Sequence, residues 1–383
     1  MLVRGGLGGI GPEWPGRIWS APMVYYRDPH PGLSRVSAFM SAHHPDQRLE
    51  ALKAWLQSVP SGLALRVGSL RPASDDASFR RYFRIDCDDG PHPSLIVMDA
   101  PPEREDSRPF VHAATVLARA GLSVPKLHHI DLAAGFLLLA DLGDQTYLSC
   151  LSPDTAAPLY DDAANALVAL QTASKPGVFP HYDRGTLARE LGLYPDWYVA
   201  RHKSFAMSPA ARALMEQGFE QLIANATAQP QVFVHRDWHC RNLMRLEPGR
   251  NPGVLDFQDA LMGPITYDLV SLLRDAYIDW PEADQIDWAA RYWDKARSAH
   301  LPVHPDFGEF YRDFEWMGLQ RHLKVLGIFA RLNYRDGKSR YLADMPRVLQ
   351  YALSVARRYQ ALGGLARVLE EVEATATSTG YTF

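Results

Sequence analysis

The alternation of apolar and polar positions changes character part-way along the chain. Between residues 63 and 98, short segments either alternate apolar and polar residues or are continuously apolar, which predicts strands over Leu63–Val67, Phe79–Ile85 and Ser94–Met98. Beyond Gly143, apolar residues recur mainly every three or four positions, which predicts helices. Strands first and helices second predict an α+β fold with two lobes, over residues 40–142 and 143–383.

Helical periodicity, with proline near the start of several segments, sets the expected helix bounds. The predicted helices are Arg48–Leu56, Arg108–Gly121, Pro158–Thr172, Arg184–Lys203, Pro209–Ala226, Pro281–His300, Asp306–Leu332 and Pro346 to about Leu362. The Thr/Ser-rich segment after the last helix is expected to fray.

Residues 1–39 differ from the rest of the chain, being rich first in glycine and then in proline, without a hydrophobic period. Gly6–Gly11 has the spacing of a dinucleotide-binding loop, but no strand precedes it and Pro12 follows where a helix should begin. Met40 precedes a periodic helix. We therefore expect residues 1–39 to be a disordered extension, or the product of an upstream start assignment.

Two short apolar runs, each followed by polar residues, carry the candidate chemistry. The first is Val232–Val234, followed by Asp237 and Asn242; the second is Gly253–Leu255, followed by Asp256. A carboxylate that accepts a hydroxyl proton, with an amide and a second carboxylate that bind magnesium, is a set that phosphotransferases use. Such residues can also simply cap turns. The strand before each cluster, at hairpin spacing, favours the catalytic interpretation.

His235, His239 and Cys240 could suggest zinc, but no second cluster supplies further ligands. We expect His235 to shape the loop through hydrogen bonds to the backbone, and Cys240 to fill space in the core.

The segment from His235 to Asn242 resembles the H-x-D-x-x-x-x-N loop of the aminoglycoside phosphotransferase and choline kinase superfamily. That resemblance implies a protein-kinase-like fold with a small antiparallel-sheet lobe and a larger helical lobe, and the cofactors ATP and Mg²⁺. It implies Asp237 as the catalytic residue and Asn242 and Asp256 as metal ligands. Asp268, which follows Gly-Pro-Ile-Thr-Tyr, matches a residue that braces the catalytic loop in this superfamily.

The resemblance also implies where the nucleotide binds. The apolar strand ending at Ala140 and Leu142 resembles the hinge between lobes, whose backbone hydrogen-bonds the adenine edge. The turn Ser74–Ser78 lies where a phosphate-covering loop would lie, so Ser78 is a candidate contact. This turn lacks glycine, and a plain hairpin is an equally available interpretation.

The absence of a strand lysine is the main departure from that pattern. The sequence has no lysine between Lys53 and Lys126, and Met98–Asp99 stands where one would be expected. Arg80 and Arg84 lie on one face of a predicted strand and are the candidate replacements; an exposed arginine face is the alternative.

Several longer strings resemble one branch of the superfamily, the bacterial kinases that phosphorylate N-acetylmuramate and N-acetylglucosamine at the anomeric hydroxyl in peptidoglycan recycling. These strings are Ala77–Arg84, Val97–Pro102, Leu255–Ala260, Tyr267–Asp275, Gly318–His322 and Arg335–Lys338. Candidate substrate contacts are Asp259, Trp197, Arg321 and His322, the last two as cations for a sugar carboxylate.

Composition and charge indicate which partners and which cellular compartment to expect. The net charge of −4 gives no argument for nucleic acid or a membrane as partner. Three widely spaced cysteines suggest no disulfide framework, so we expect a cytoplasmic protein. The resemblance implies a small amino sugar as substrate, and we expect a monomer. Two alternatives stay open: another small-alcohol kinase of the aminoglycoside or choline type, and a pseudokinase that serves as a binding module.

Overall fold

A computed structural model describes residues 46–74, 79–88 and 93–378, and a single compact unit begins at Arg48. The hypotheses for residues 1–39 and for Ser78 fall outside the described residues.

The first part of this unit is an antiparallel sheet covered on both faces. The strands, in the order β1-β2-β3-β5-β4, are β1 Arg71–Ser74, β2 Arg81–Asp86, β3 Ser94–Asp99, β4 Leu127–Asp131 and β5 Phe136–Ala140. Ile85 and Leu95 face helix α1 (Gln47–Ser58) in a small core, whereas Met98 belongs with helix α2 (Arg108–Arg119) to the main core. The two faces of the sheet therefore serve two different cores.

The strand predicted over Leu63–Val67 is wrong. Two 3₁₀ turns, Ser61–Leu63 and Val67–Ser69, occupy this stretch, and Ala64 between them has φ +46°. The apolar side chains nevertheless pack against the α1 core. The alternation indicated the buried face correctly, but the left-handed residue prevents continuous strand pairing.

The remainder of the unit is mostly helical, with four short strands inserted before α7. The elements are α3 Tyr147–Cys150, α4 Ala156–Thr172, α5 Arg184–Leu193, α6 Pro209–Ala228, β6 Gln231–Val234, β7 Leu243–Met244, β8 Gly253–Val254, β9 Leu261–Pro264, α7 Tyr267–Leu273, α8 Glu282–Ser298, α9 Phe307–Tyr334, α10 Met345–Arg358 and α11 Gly363–Ser378. Strand β6 pairs with β9, and β7 pairs with β8. A small antiparallel sheet and a larger helical part confirm the predicted fold class.

Two helical predictions need correction. The helix predicted over residues 184–203 is α-helical only to Leu193 and continues as a π-helix over Tyr194–His202. Pro195 has no N–H to donate, so the regular ladder is interrupted there. The tail expected to fray contains α11, because Leu365 and Leu369 form a fully buried stripe that composition alone concealed.

Helix α9 is the central support of the helical part, packing against α5, α6, α7 and α10. The approach to α5 is very close: a Cβ on Gly327 would lie 2.4 Å from the carbonyl carbon of Leu193. Only glycine fits at this crossing.

No helix in the described part of the chain is both long and apolar enough to cross a membrane.

Candidate active site

The loop after β6 is held in shape by a carboxylate from α7. Asp268 accepts hydrogen bonds from the backbone N–H groups of His235 (2.6 Å) and Arg236 (3.0 Å). Arg236 has φ +79°, a conformation that costs energy in a residue with a side chain. Asp268 therefore stabilises a strained turn, which confirms its predicted bracing role.

A second brace was not foreseen. Asp275, just beyond the end of α7, accepts hydrogen bonds from the N–H of Cys240 (2.9 Å) and of Tyr277 (3.0 Å). Asp268 in α7 thus holds the beginning of the loop, and Asp275, two residues beyond the helix, holds its later part. The spacing of Asp268 and Asp275 at opposite ends of one short helix could have suggested this from the sequence.

His235 links the two halves of the site. Its Nδ1 accepts from the N–H of Asp237 (3.3 Å), and its Nε2 lies 2.9 Å from the carbonyl oxygen of Leu255, so the ring carries its hydrogen on Nε2. Burial lowers the pKa of His235 to about 4. The imidazole is therefore neutral near pH 7 and shapes the loop, as predicted.

Asn242 and Asp256 come together across the β7–β8 hairpin. The Asn242 carbonyl accepts from Leu255 N–H (2.9 Å), and its side-chain Nδ2 donates to the Asp237 carbonyl (3.0 Å) and to Asp256 Oδ2 (3.3 Å). Asp256 is exposed and has φ +62°, a second strained residue in the site. Asp256 Oδ1 also accepts from Gln258 Nε2 at 2.7 Å. The Asn242 amide oxygen and the Asp256 carboxylate are hard oxygen donors of the kind that Mg²⁺ prefers.

The Asp237 side chain is solvent-facing, with 43% of its surface exposed, and it lies among positive groups. Arg321 on α9 places Nη2 4.0 Å from Asp237 Oδ1. Desolvation raises the pKa of Asp237, but His239, Lys324 and Arg321 lower it by more, so the net pKa lies below its usual value. The carboxylate is therefore ionised near neutral pH, as a proton acceptor must be.

A buried ionic cluster lies under the loop. Glu190 on α5 accepts from Arg236, from Lys324 Nζ at 3.0 Å and from the Tyr182 hydroxyl, while Lys324 also donates to the Tyr267 hydroxyl at 2.9 Å. We call these five residues the Glu190 cluster. It ties the strained Arg236 to α5 and α9, and nothing in the local sequence around any member predicted it.

The predicted hinge contains Ala140 and Leu142, the two candidate contacts for adenine. The Ala140 N–H donates to the Lys126 carbonyl at 2.8 Å. The Leu142 N–H has no acceptor among the described residues, so it is available to a ligand. Arg84 donates to Asp141 (2.6 Å) and to the Gly143 carbonyl (3.0 Å). Arg84 thus fastens the hinge to the sheet.

Arg80 is placed differently from Arg84. Its buried guanidinium donates to Glu105 at 2.6 Å, in the segment that leads into α2. From α2, the Phe110 ring contacts the ring of Phe257, next to Asp256, at a centroid distance of 4.8 Å. Glu105 thus precedes the helix whose Phe110 packs against the neighbour of the candidate metal ligand.

Asp99, at the position where a lysine was expected, is fully buried. It accepts from Arg48 (2.6 Å) and from Arg81 (2.9 Å). The pair with Arg48 ties α1 to the sheet, the pair with Arg81 joins β2 to β3, and neither was predicted.

Residues 69–309 match the sequence model of the phosphotransferase enzyme family. The chain belongs to this family. An N-acetylmuramate/N-acetylglucosamine kinase from Pseudomonas aeruginosa is 49% identical over 331 residues, 85% of this chain and 96% of that protein. A protein of the same name from Neisseria meningitidis is 47% identical over 342 residues, 88% of this chain and 100% of that protein.

Solved structures of this phosphotransferase family and of choline kinases share the fold. Aminoglycoside phosphotransferase APH(2'')-Ib with ADP bound superposes with a TM-score of 0.53 at 16% identity, covering 81% of this chain and 98% of that one. A choline kinase from Cryptosporidium parvum gives 0.58 at 11% identity, covering 84% and 99%. The chain is a phosphotransferase enzyme with a two-lobed, kinase-like fold.

The predicted substrate contacts of this phosphotransferase lie in different surroundings. Arg321 lies beside Asp237, whereas His322 is buried with Nε2 3.1 Å from the Arg274 carbonyl, because successive helix residues point about 100° apart. Trp197 lies in the π-helix and packs partly against the main core. Asp259 is exposed, three residues beyond Asp256. The structure therefore brings Arg321 to Asp237 and turns His322 away from it.

Proposed function

We propose that the protein is an ATP-dependent kinase that phosphorylates the anomeric hydroxyl of N-acetylmuramate and N-acetylglucosamine in cytoplasmic peptidoglycan recycling. The observation that carries the chemistry is the solvent-facing Asp237 beside the paired Asn242 and Asp256. The names of the relatives at 47–49% identity support the choice of sugar.

Asp237 would act as the general base. Its carboxylate is ionised because nearby cations hold its pKa low, and Asp268 and Asp275 fix the loop that carries it. A base of low pKa accepts a proton more readily from a substrate hydroxyl that is itself relatively acidic. An anomeric hydroxyl is more acidic than other sugar hydroxyls, so proton transfer to Asp237 is less demanding there than at the C6 position.

The donor set of Asn242 and Asp256 fits Mg²⁺. Amide and carboxylate oxygens are hard ligands, and both are presented on one side of the β7–β8 hairpin. A magnesium ion bound there would neutralise charge on the phosphate oxygens of ATP. The protein's own contribution is to hold Asp256 in its left-handed conformation, with Asn242 Nδ2 keeping its Oδ2 in place.

For ATP, we assign the adenine edge to the backbone of Ala140 and Leu142. The Leu142 N–H suits this role, since it has no acceptor within the residues described. Arg80, which donates to Glu105, is the candidate for binding the phosphates. Arg84 would help to position the hinge backbone, because it donates to Asp141. Asp259 and Trp197 stay candidates for the sugar, and we expect a monomer.

The test is the identity of the product. Wild-type protein with ATP and Mg²⁺ should convert both sugars to 1-phosphates, recognised by ³¹P coupling to the anomeric proton. Coupling to the C6 protons instead would contradict the anomeric assignment.

Asp237→Asn is the matched control, and it should lose about a hundred- to ten-thousand-fold in rate. Turnover of kanamycin or choline but of neither sugar would favour another alcohol kinase. Nucleotide binding without turnover of any alcohol would indicate a binding module.

A further inference from the structure

Arg321 is a buried cation without hydrogen-bond partners on two of its nitrogens. Its side chain is only 5% exposed. Over residues 46–74, 79–88 and 93–378, no acceptor lies within hydrogen-bonding reach of Nε or Nη1, although both atoms are enclosed. Enclosing a charged group in this way is unfavourable unless something else satisfies its donors. The arrangement suggests a site prepared for an anion.

The two neighbouring cations, Lys324 and Arg236, differ from Arg321 in being paired directly with a carboxylate. Lys324, one turn along α9, is neutralised by Glu190 and donates to the Tyr267 hydroxyl. Arg236 has a buried Nε without a partner among the described residues, but its Nη2 donates directly to Glu190, so its charge is neutralised as well. Arg321 instead approaches Asp237 only to 4.0 Å, beyond hydrogen-bonding distance. A cation placed there for Asp237 alone would be expected to bond it directly, as Lys324 bonds Glu190.

A cation beside a general base also has a chemical cost. A guanidinium 4.0 Å from the Asp237 carboxylate attracts its negative charge and so opposes its uptake of a proton. The cost is offset if the same cation stabilises charge on the group being transferred, because a guanidinium presents a planar set of donors that matches phosphoryl oxygens.

We propose that Arg321 is a further catalytic residue, which contacts the equatorial oxygens of the phosphoryl group as it passes from ATP to the sugar. This rests on the proposed kinase function. As the anomeric oxygen forms its bond to the γ-phosphorus, the bond from that phosphorus to the β,γ-bridging oxygen breaks and its electron pair leaves with ADP. The hydroxyl proton moves to Asp237, while Arg321 faces the oxygens that carry negative charge.

The other anion available in this chemistry is the lactyl carboxylate of N-acetylmuramate. That group hangs from C3, two ring carbons from the hydroxyl that Asp237 must face, whereas Arg321 lies within 4.0 Å of Asp237 itself. The position beside the base favours the phosphoryl group.

The two ligands make opposite predictions for the two sugars. N-acetylglucosamine has no carboxylate, so a phosphoryl role predicts that Arg321→Lys and Arg321→Ala lower kcat about a thousandfold or more for both sugars. KM for each sugar should stay within about threefold, and added guanidinium should partly restore Arg321→Ala. Arg331→Lys, about 15 Å further along α9, is the control and should behave as wild type.

A second readout does not need a sugar. Isothermal titration calorimetry should show that aluminium fluoride, a planar phosphoryl mimic, tightens ADP binding to the wild type in the presence of Mg²⁺, and that neither Arg321 variant shows this gain. Circular dichroism would establish that both variants are folded. If the wild type turned over neither sugar, the proposed function would fail, but this binding comparison would still test Arg321.

Three results would overturn the proposal. One is a loss confined to N-acetylmuramate and expressed in KM, which would assign Arg321 to the carboxylate. Another is unchanged kcat with both sugars, and the third is an equal gain from aluminium fluoride in wild type and variants.

Discussion

The Glu190 cluster allows a prediction of protein stability, because one carboxylate neutralises the two cations Lys324 and Arg236. The side chains of Glu190 and Lys324 are only 10% and 9% exposed, and that of Arg236 is 21% exposed. Replacing Glu190 by Gln keeps the shape but removes the charge. Removing one partner of a buried ion pair costs about 3–5 kcal/mol, because the remaining charge is left uncompensated. Since glutamine can still accept a hydrogen bond, we expect a loss of about 3 kcal/mol in the free energy of unfolding.

Urea denaturation at pH 7 measures this loss, with Glu370→Gln as the matched control. Glu370 pairs with Arg357 at 2.7 Å, but the two side chains are 44% and 59% exposed. An exposed pair contributes less than about 1 kcal/mol, so the control should be nearly as stable as wild type.

The pH dependence gives a second check. Burial raises the pKa of Glu190, but Lys324 and Arg236 lower it by more, so its folded pKa lies below the ordinary 4.5. The stabilisation is therefore present above pH 4.5 and is lost as the pH falls through the folded pKa. The difference between wild type and Glu190→Gln should be constant from pH 6 to 8 and shrink only in acid.

Activity should fall as well, because Arg236 precedes Asp237 and needs support in its left-handed conformation. We expect kcat to drop about 10- to 100-fold, with KM for ATP unchanged. A stability loss no larger than that of Glu370→Gln, or one that persists undiminished at pH 3, would refute this account of the cluster.

Two further predictions concern the metal site and the helix crossing. Asn242→Ala and Asp256→Ala should raise the Mg²⁺ concentration needed for half-maximal ADP binding, measured by calorimetry, whereas Asp259→Ala should not; equal behaviour of all three would place the metal elsewhere. Gly327→Ala should cost about 3 kcal/mol in urea denaturation, since its Cβ would meet the Leu193 backbone at 2.4 Å. The control Gly192→Ala, with nothing within 4 Å of the added Cβ, should be neutral or stabilising by up to about 1 kcal/mol; a similar cost in both variants would contradict the packing argument.

The parts of the site that were predictable are those that the local sequence encodes. Asp237, Asn242 and Asp256 each follow a short apolar strand, and a polar cluster at the end of a buried strand is visible without knowing the fold. The fold class followed from the change of period near Gly143. Family resemblance added the brace by Asp268, which the structure confirms through two hydrogen bonds.

The parts that were not predictable depend on residues far apart in the chain. Glu190 and Lys324 meet only because α5 packs on α9, and neither has a distinctive neighbour in sequence. The pairing of Arg80 with Glu105 and of Arg84 with Asp141 is equally non-local. Sequence reasoning could nominate the arginines, but it could not say which acidic groups they would meet.

These pairings matter for the question of which cation takes the place of the strand lysine that this sequence lacks. Arg84 is bound to Asp141, Arg80 to Glu105 and Arg81 to Asp99, so the sheet's arginines near the hinge and α2 all have carboxylate partners. The helical part, in contrast, offers Arg321, whose Nε and Nη1 have no hydrogen-bond partner among the described residues and whose Nη2 lies 4.0 Å from Asp237 Oδ1. If Arg321 meets the phosphoryl group as proposed, the positive charge is supplied by the 28-residue helix α9 and not by the sheet. Because Glu190 pairs both with Arg236, next to Asp237, and with Lys324 on α9, the helical part positions the cation and the base together.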